Sequence, residues 1–169
     1  MDRHMDLHGD LIGLEQLDEG NYAFVQAIQR DDVSEDFVDT AQTIMELNEY
    51  GKRHNLIGRT FAVKLSRAYI GLILMGEAIE WETDPDEMKG VPFYRIMGFV
   101  MDKRYRGRGI GGYVLEKTIE AVYREFGVRP IAFGVHRENV RAERFYLRHG
   151  FRKTDVMEGN DYYYLRYPE

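Results

Sequence analysis

The sequence predicts an α/β fold, one sheet with helices on both faces. Three observations carry that prediction. Strand-type apolar runs stand before and after each stretch of helical periodicity, in mixed order. The stretch 94–126 reads as strand, glycine loop and helix in direct succession. A chain of 169 residues, 44% of them apolar, is long enough to bury one sizeable core.

The elements follow in order. Asp10 to Leu17 alternates as a first strand. Asn21 caps a short helix that runs to about Gln29. Ser34 or Asp36 caps a second helix, with Phe37, Val38, Ala41, Ile44, Met45 and Leu47 on its apolar face and an end near Gly51. Arg59 to Leu65 and Ala68 to Ile79 are strands joined by a tight turn at Ser66-Arg67. Residues 83–92, with two prolines, form a loop, and Tyr94 to Met101 is the next strand. The long helix after the glycine loop carries Ile110, Val114, Leu115, Thr118, Ile119, Val122 and Phe126 at spacings of three and four, and Gly127 stops it. Ile131 to Val135 is a strand, and Asn139 to His149 is a helix capped by Asn139 and stopped by Gly150. Phe151 to Met157 and Tyr162 to Tyr167 close the chain as a hairpin. The whole chain, 1–169, reads as one domain; residues 1–5 are read as disordered or extraneous to it, with Met5 as an alternative start.

Composition narrows the function. The absence of cysteine removes disulfides, thiolate metal sites and a cysteine nucleophile, and suits a reducing, cytoplasmic setting. The five histidines show no metal spacing, so no metal is expected. The longest apolar run, Tyr69 to Gly76, is far short of the ~20 residues that span a bilayer, so no membrane partner is expected. A net charge of −6 argues against a nucleic-acid partner. Charge is also segregated. Asp31, Asp32, Glu35, Asp36, Asp39, Glu46 and Glu49 fall in one base-free stretch, and Glu77, Glu80, Glu82, Asp84, Asp86 and Glu87 in another. Lys103, Arg104, Arg106 and Arg108 crowd the glycine loop. For any single acid a solvated surface is the bland reading. Together they fit a basic site for an anionic cofactor beside an acidic site for a cationic partner.

A glycine loop leading into a helix is a recurring phosphate cradle. The first helical turn leaves N–H groups without partners, the helix dipole adds positive charge, and glycines keep Cβ atoms out of the way. Gly107, Gly109, Gly111 and Gly112 supply that backbone here. The loop lacks the Gly-Lys-Ser/Thr ending of a P-loop. It has dinucleotide-type spacing (Gly107, Gly109, Gly112), but it sits past mid-chain and no acid ends the following strand.

Two blocks sharpen this reading. Arg106-Gly107-Arg108-Gly109-Ile110-Gly111 resembles the Arg/Gln-x-x-Gly-x-Gly/Ala loop of GNAT-type N-acetyltransferases. Residues 139–151, Asn-Val-Arg-Ala-Glu-Arg-Phe-Tyr-Leu-Arg-His-Gly-Phe, are similar to that family's Asn-x-x-Ala-x-x-Phe-Tyr-x-x-x-Gly-Phe signature. By motif the resemblance covers 90–167. It implies the GNAT fold, a mixed, mostly antiparallel twisted central sheet with helices on both faces, and acetyl-CoA as co-substrate.

The chemistry implied is acetyl transfer from a thioester to a neutral amine, by direct attack in a ternary complex. The carbonyl must be polarised, the partners aligned and the departing thiolate protonated. By resemblance, the strand Phe99-Val100-Met101 pairs with the pantetheine arm, and an N–H of Val100 or Met101 points at the thioester oxygen. Arg106 to Gly112, including Ile110, hold the pyrophosphate. Asn139 contacts the pantetheine region as well as capping its helix. Tyr146 stands near sulfur as general acid; otherwise it is a packing residue. Glu77, Glu80 and Glu82 are the base candidates, with Glu80 chosen. The expected partner is a small-molecule amine, most similar to the polyamine substrates, spermidine and spermine, of bacterial polyamine acetyltransferases. An aminoglycoside or a peptide N-terminus is the alternative, as is a non-catalytic acyl-CoA sensor. A homodimer through the Tyr-rich last strand is a further expectation.

Overall fold

In the computed structural model, eight strands form one sheet among the described residues, which are 4–5 (backbone only), 9, 11–30, 32–34 and 37–169. The strands are β1 (His4–Met5), β2 (Leu11–Gln16), β3 (Gly58–Leu65), β4 (Ala68–Glu77), β5 (Tyr94–Met101), β6 (Ile131–His136), β7 (Arg152–Glu158) and β8 (Asp161–Arg166). Their spatial order is β1-β2-β3-β4-β5-β6-β8-β7. Every neighbouring pair is antiparallel except β5–β6. The mixed, mostly antiparallel sheet is thus as expected. Asp10, Asp31, Glu35 and Asp36 lie outside the described residues, as do residues 1–3 of the expected terminal extension.

Helices cover both faces. α1 (Tyr22–Val25) and α2 (Ala41–Arg53) bury Val25 and Ile44 against Leu72, Leu74 and Val100 on one side. α3 (Ile110–Phe126) and α4 (Val140–Arg148) lie on the other. There Ile110, Val114, Leu115, Ile119, Val122 and Tyr146 pack onto Ile73, Met75, Ile96 and Phe133. The spacing in α3 places these residues on one face, and burying each such side chain is worth ~1.5–3 kcal/mol.

The boundaries differ from expectation where side chains found other partners. α1 is a single turn. Asn21 sits at its N-cap, but its side chain turns back to accept from the Asp18 N–H and to donate to Glu15 and the Gln16 carbonyl. α2 is capped not by Ser34 but by Thr40, whose hydroxyl accepts from the Thr43 N–H at 3.2 Å. Phe37, read as a helix position, lies ahead of it with its ring 4.8 Å from that of His136. Gly51 is inside α2, which runs on to Arg53 until Asn55 adopts a left-handed φ of 55°.

One irregularity matters for the site. Leu74 pairs with Gly98 and Met75 with Ile96, so Met97 is an extra residue bulged out of β5. Both Met97 and Gly98 then face α2, where a Cβ on residue 98 would fall 2.4 Å from Ile44.

Candidate active site

The sheet opens between β5 and β6. Their ladder has one registered pair, Tyr94 opposite Ile131. Beyond it, the direction of the backbone groups follows from pairing rules. The Asp102 N–H donates to the Ile70 carbonyl at 2.7 Å, so 70 and 102 form a hydrogen-bonded pair. Such pairs alternate along an antiparallel ladder. Val100 opposite Leu72 is therefore bonded to β4, while Phe99 and Met101 turn N–H and C=O toward the opening. On the far side the Arg137 N–H donates to the Asn160 carbonyl, and the same alternation turns Ala132, Gly134 and His136 toward β5. Two polar backbone edges thus face one another across a gap in mid-sheet. This corrects one expectation. The Val100 N–H is spent on β4, and the donors available to a thioester are those of Phe99 and Met101.

The glycine loop closes one end of the gap. Gly107 and Gly109 have φ of 77° and 75°, a left-handed geometry that favours glycine. Gly109 is the N-cap of α3 and brings no side chain to it, and the first turn holds no acid. A 17-residue helix therefore presents its N-terminal N–H groups uncapped by any side chain, an arrangement suited to an anion. Gly111 and Gly112 serve packing instead. A Cβ on Gly112 would lie 2.9 Å from the His149 ring, and one on Gly111 3.7 Å from Phe145. Arg106 donates to the Met101 carbonyl at 2.9 Å and to Asp32. Arg104 is bound to Asp102, and the Arg104 and Arg108 guanidinium groups lie 5.6 and 5.5 Å from the Tyr105 ring.

α4 floors the opening. The Phe145 ring lies 6.1 Å from Phe99 of β5, and the Tyr146 ring 4.8 Å edge-on to Phe133 of β6. Tyr146 is 7% exposed, and burial pushes its phenol well above the usual range. The group is held protonated, a donor at neutral pH. Asn139 caps α4 through the Ala142 N–H at 3.2 Å and sits at the β6 end of the gap.

A sequence-family comparison bears on this geometry. The model of the "Acetyltransferase (GNAT) family" matches residues 23–151. The chain belongs to that GNAT family. No curated protein matches the sequence significantly. Solved structures with a similar fold include the PaiA N-acetyltransferase of Thermoplasma acidophilum in complex with coenzyme A. It is 17% identical with a TM-score of 0.68, over 93% of this chain and 99% of that one. Naa50 of Arabidopsis thaliana, in complex with the bisubstrate analogue CoA-Ac-MVNAL, is 18% identical with a TM-score of 0.61, over 91% and 96%. The spermidine N-acetyltransferase of Vibrio cholerae, in complex with CoA and spermine, is 14% identical with a TM-score of 0.62, over 91% and 92%. These likenesses concern the fold.

The other side of this GNAT site is built from residues with no motif. The stretch 26–30 lies at the open end of the sheet. It is tied to the end of β5 by Asp102, which is fully buried and accepts the Gln29 N–H at 3.0 Å. The Lys103 N–H returns to the Gln29 carbonyl at 2.7 Å. Burial pushes the Asp102 carboxyl up, but bonds from Arg104 and the two backbone N–H groups outweigh it and hold it low. Phe37, ahead of α2, packs on His136 of β6. A cavity of about 720 Å³ is lined by Gln29, Arg30, Val33, Thr40 and Val100.

Asp161 feels the charge of two further carboxylates, Asp39 and Glu158. Partial burial raises the Asp39 carboxyl; Arg30 opposes this and Asp161 adds to it. Burial likewise raises Asp161, with His136 opposing and Glu158 adding. Among the other predicted acids, Asp84 shares the Tyr163 hydroxyl with Glu158. Asp84 is fully buried and holds Arg95 at 3.1 Å and the Tyr163 hydroxyl at 3.0 Å. Asp86 and Glu87 pair with Lys89 and Arg152. Glu77 accepts the Ile57 N–H at 2.9 Å. Glu80 and Glu82 are exposed beyond the end of β4 that pairs with Tyr94. Glu80, chosen as the base, precedes Trp81, whose ring lies against Arg95, and Thr83 of the same loop reaches the Tyr163 hydroxyl of β8.

Proposed function

We propose that the chain transfers an acetyl group from acetyl-CoA to a primary amine of a small cationic acceptor. The observation that carries this reading is the gap between β5 and β6, edged by Phe99 and Met101 on one side and Gly134 on the other. A pantetheine arm, with two amides, can bond to such edges as an added strand does. The uncapped start of α3 then meets the pyrophosphate, with Arg106 beside it.

In the reaction the neutral amine attacks the thioester carbon. The N–C bond forms and the C–S bond breaks. The N–H of Phe99 or Met101 stabilises the oxygen while it carries charge. Tyr146 gives its proton to the departing sulfur and regains one from the proton that the nitrogen sheds. A lysine-like ammonium has a pKa of about 10.4 and must first be deprotonated. Asp39 and Asp161, raised above ordinary carboxylates, are able to take that proton through water.

A polyamine such as spermidine or spermine suits this mouth. Carboxylates held together repel, and a polycation relieves that repulsion. The test is thiol release from acetyl-CoA with spermidine, spermine, an aminoglycoside and short peptides. Saturable release with a polyamine is expected. Release with another amine alone discards the polyamine, and tight CoA binding without release from any amine favours a sensor.

A further inference from the structure

Beneath the C-terminal half of α2 lies a second cavity, of about 620 Å³, between the helix and the floor of β3, β4 and β5. Its lining is mostly apolar and includes Leu47, Leu74, Trp81, Met97 and Phe126. Asn48 and Arg95 interrupt that surface. Each contributes a buried nitrogen, Asn48 Nδ2 and Arg95 Nη1, with no hydrogen-bond partner among the described residues. Both side chains are fixed from elsewhere. Asn48 Oδ1 accepts the Thr60 hydroxyl at 2.8 Å. Arg95 Nη2 donates to the Ile79 carbonyl at 3.0 Å and to Asp84, and its guanidinium lies 3.8 Å from the Trp81 ring centre. Arg95 is 3% exposed. A buried donor left without an acceptor costs about 1–3 kcal/mol, so two beside one cavity call for an explanation.

We propose that this cavity holds the uncharged body of the acceptor, an apolar group whose amide carbonyls accept from Arg95 and Asn48. Both orphan atoms are donors, so the complementary group is an oxygen. Asp84 already balances the Arg95 charge, and a second full anion beside Asp84 is repelled; a neutral carbonyl is not. The apolar lining selects the rest of the molecule. The cavity also adjoins the strand that carries the reaction. Met97, its bulged residue, is two positions from Phe99, and Arg95 is four, a span of about 13 Å. A short peptide-like amine covers that distance. This inference rests on the acetyltransferase reading and narrows its acceptor; a bare polyamine would engage only the acidic mouth.

Trp81 is the sole tryptophan and lines the cavity, so its emission reports occupancy. The probe is N-acetylphenylalaninamide, which has the apolar body and the carbonyls but no amine to acetylate. Saturable change in emission is expected with the wild type. Gly51 lines the cavity from α2, and a Cβ there meets nothing within 4 Å. Gly51→Phe therefore starts its side chain in open space beside the cavity and should abolish the response. Asn48→Leu should weaken binding about tenfold. Arg95 is left intact, because removing it strands Asp84. The probe should also raise the KM of the amine acceptor and leave that of acetyl-CoA unchanged. No saturable change in the wild type, a response unaltered in Gly51→Phe, or inhibition not competitive with the acceptor would each overturn the proposal. Emission needs no turnover, so failure of polyamine acetylation would reject the polyamine alone.

Discussion

The two halves of this site are made differently. On the side proposed for the coenzyme the groups offered are backbone: the edges of β5 and β6 and the uncapped start of α3. On the side proposed for the acceptor they are side chains: Asp39, Glu158 and Asp161 at the mouth, Asn48 and Arg95 in the cavity. Backbone donors are fixed by strand and helix geometry and tolerate many sequences, provided that glycines keep the approach clear. Side-chain donors change with every substitution. A family that keeps one co-substrate and varies its acceptor can hold the first half constant and rebuild the second.

The sharpest way to break this comparison is to ask whether the chemistry belongs to the coenzyme half. Tyr146→Phe keeps the ring between Phe133, Phe145 and Phe151 and removes only the hydroxyl. Loss of a general acid lowers kcat about 10²–10⁴-fold. The KM for acetyl-CoA should stay within about twofold, and the melting temperature should hold. Steady-state kinetics beside a melting curve checks both. An unchanged kcat would move the proton donor elsewhere.

The same contrast explains what was legible in the sequence. The glycine loop and α4 were readable because each is contiguous: Gly109, Asn139 and Tyr146 act within a turn or two of the residues that position them. The orientation of Phe99 and Met101 was not, because it depends on Ile70 meeting Asp102 across the ladder. Phe37 and Val38 had helical spacing, yet they stand ahead of α2, and Phe37 packs on His136 a hundred positions away. Asp84 looked like one acid among several in a loop. Its pairing with Arg95 is a tertiary event, and it turns a presumed surface charge into a buried one.

Asp102 joins the two halves and gives a medium-sized test. Its carboxyl holds the Gln29 N–H and Arg104, so Asp102→Asn loosens Gln29 and its neighbours from β5. Half of the Arg104 side chain is exposed, so the loss is modest, about 1–2 kcal/mol at neutral pH. The folded pKa is lowered, so the wild-type advantage exists above the unfolded value of about 3.9 and fades as pH falls through the folded one. Denaturant titrations of both proteins from pH 7 to pH 3 should show the gap closing. The acceptor KM should rise more than that of acetyl-CoA. An equal rise in both would mean that the segment serves the coenzyme as much as the acceptor.

The smallest effect tests the mouth alone. The folded pKa of Asp161 is raised, so its ionised form opposes folding above that value and costs nothing below the unfolded pKa. Asp161→Asn should therefore be slightly more stable than the wild type at pH 7, with the two converging in acid. The same change removes one carboxylate from the polycation's path. An interaction of about 1 kcal/mol corresponds to a roughly fivefold fall in kcat/KM for spermidine at low salt. Screening should shrink that difference as ionic strength rises toward 1 M, where the Debye length is about 3 Å. A neutral acceptor of peptide type should feel much less of it. Stability gained together with kcat/KM lost, for the polyamine only, would tie the strain at this mouth to a cation. Stability gained with no kinetic change would leave the three carboxylates as surface charge and give the cavity under α2 the larger share in choosing the acceptor.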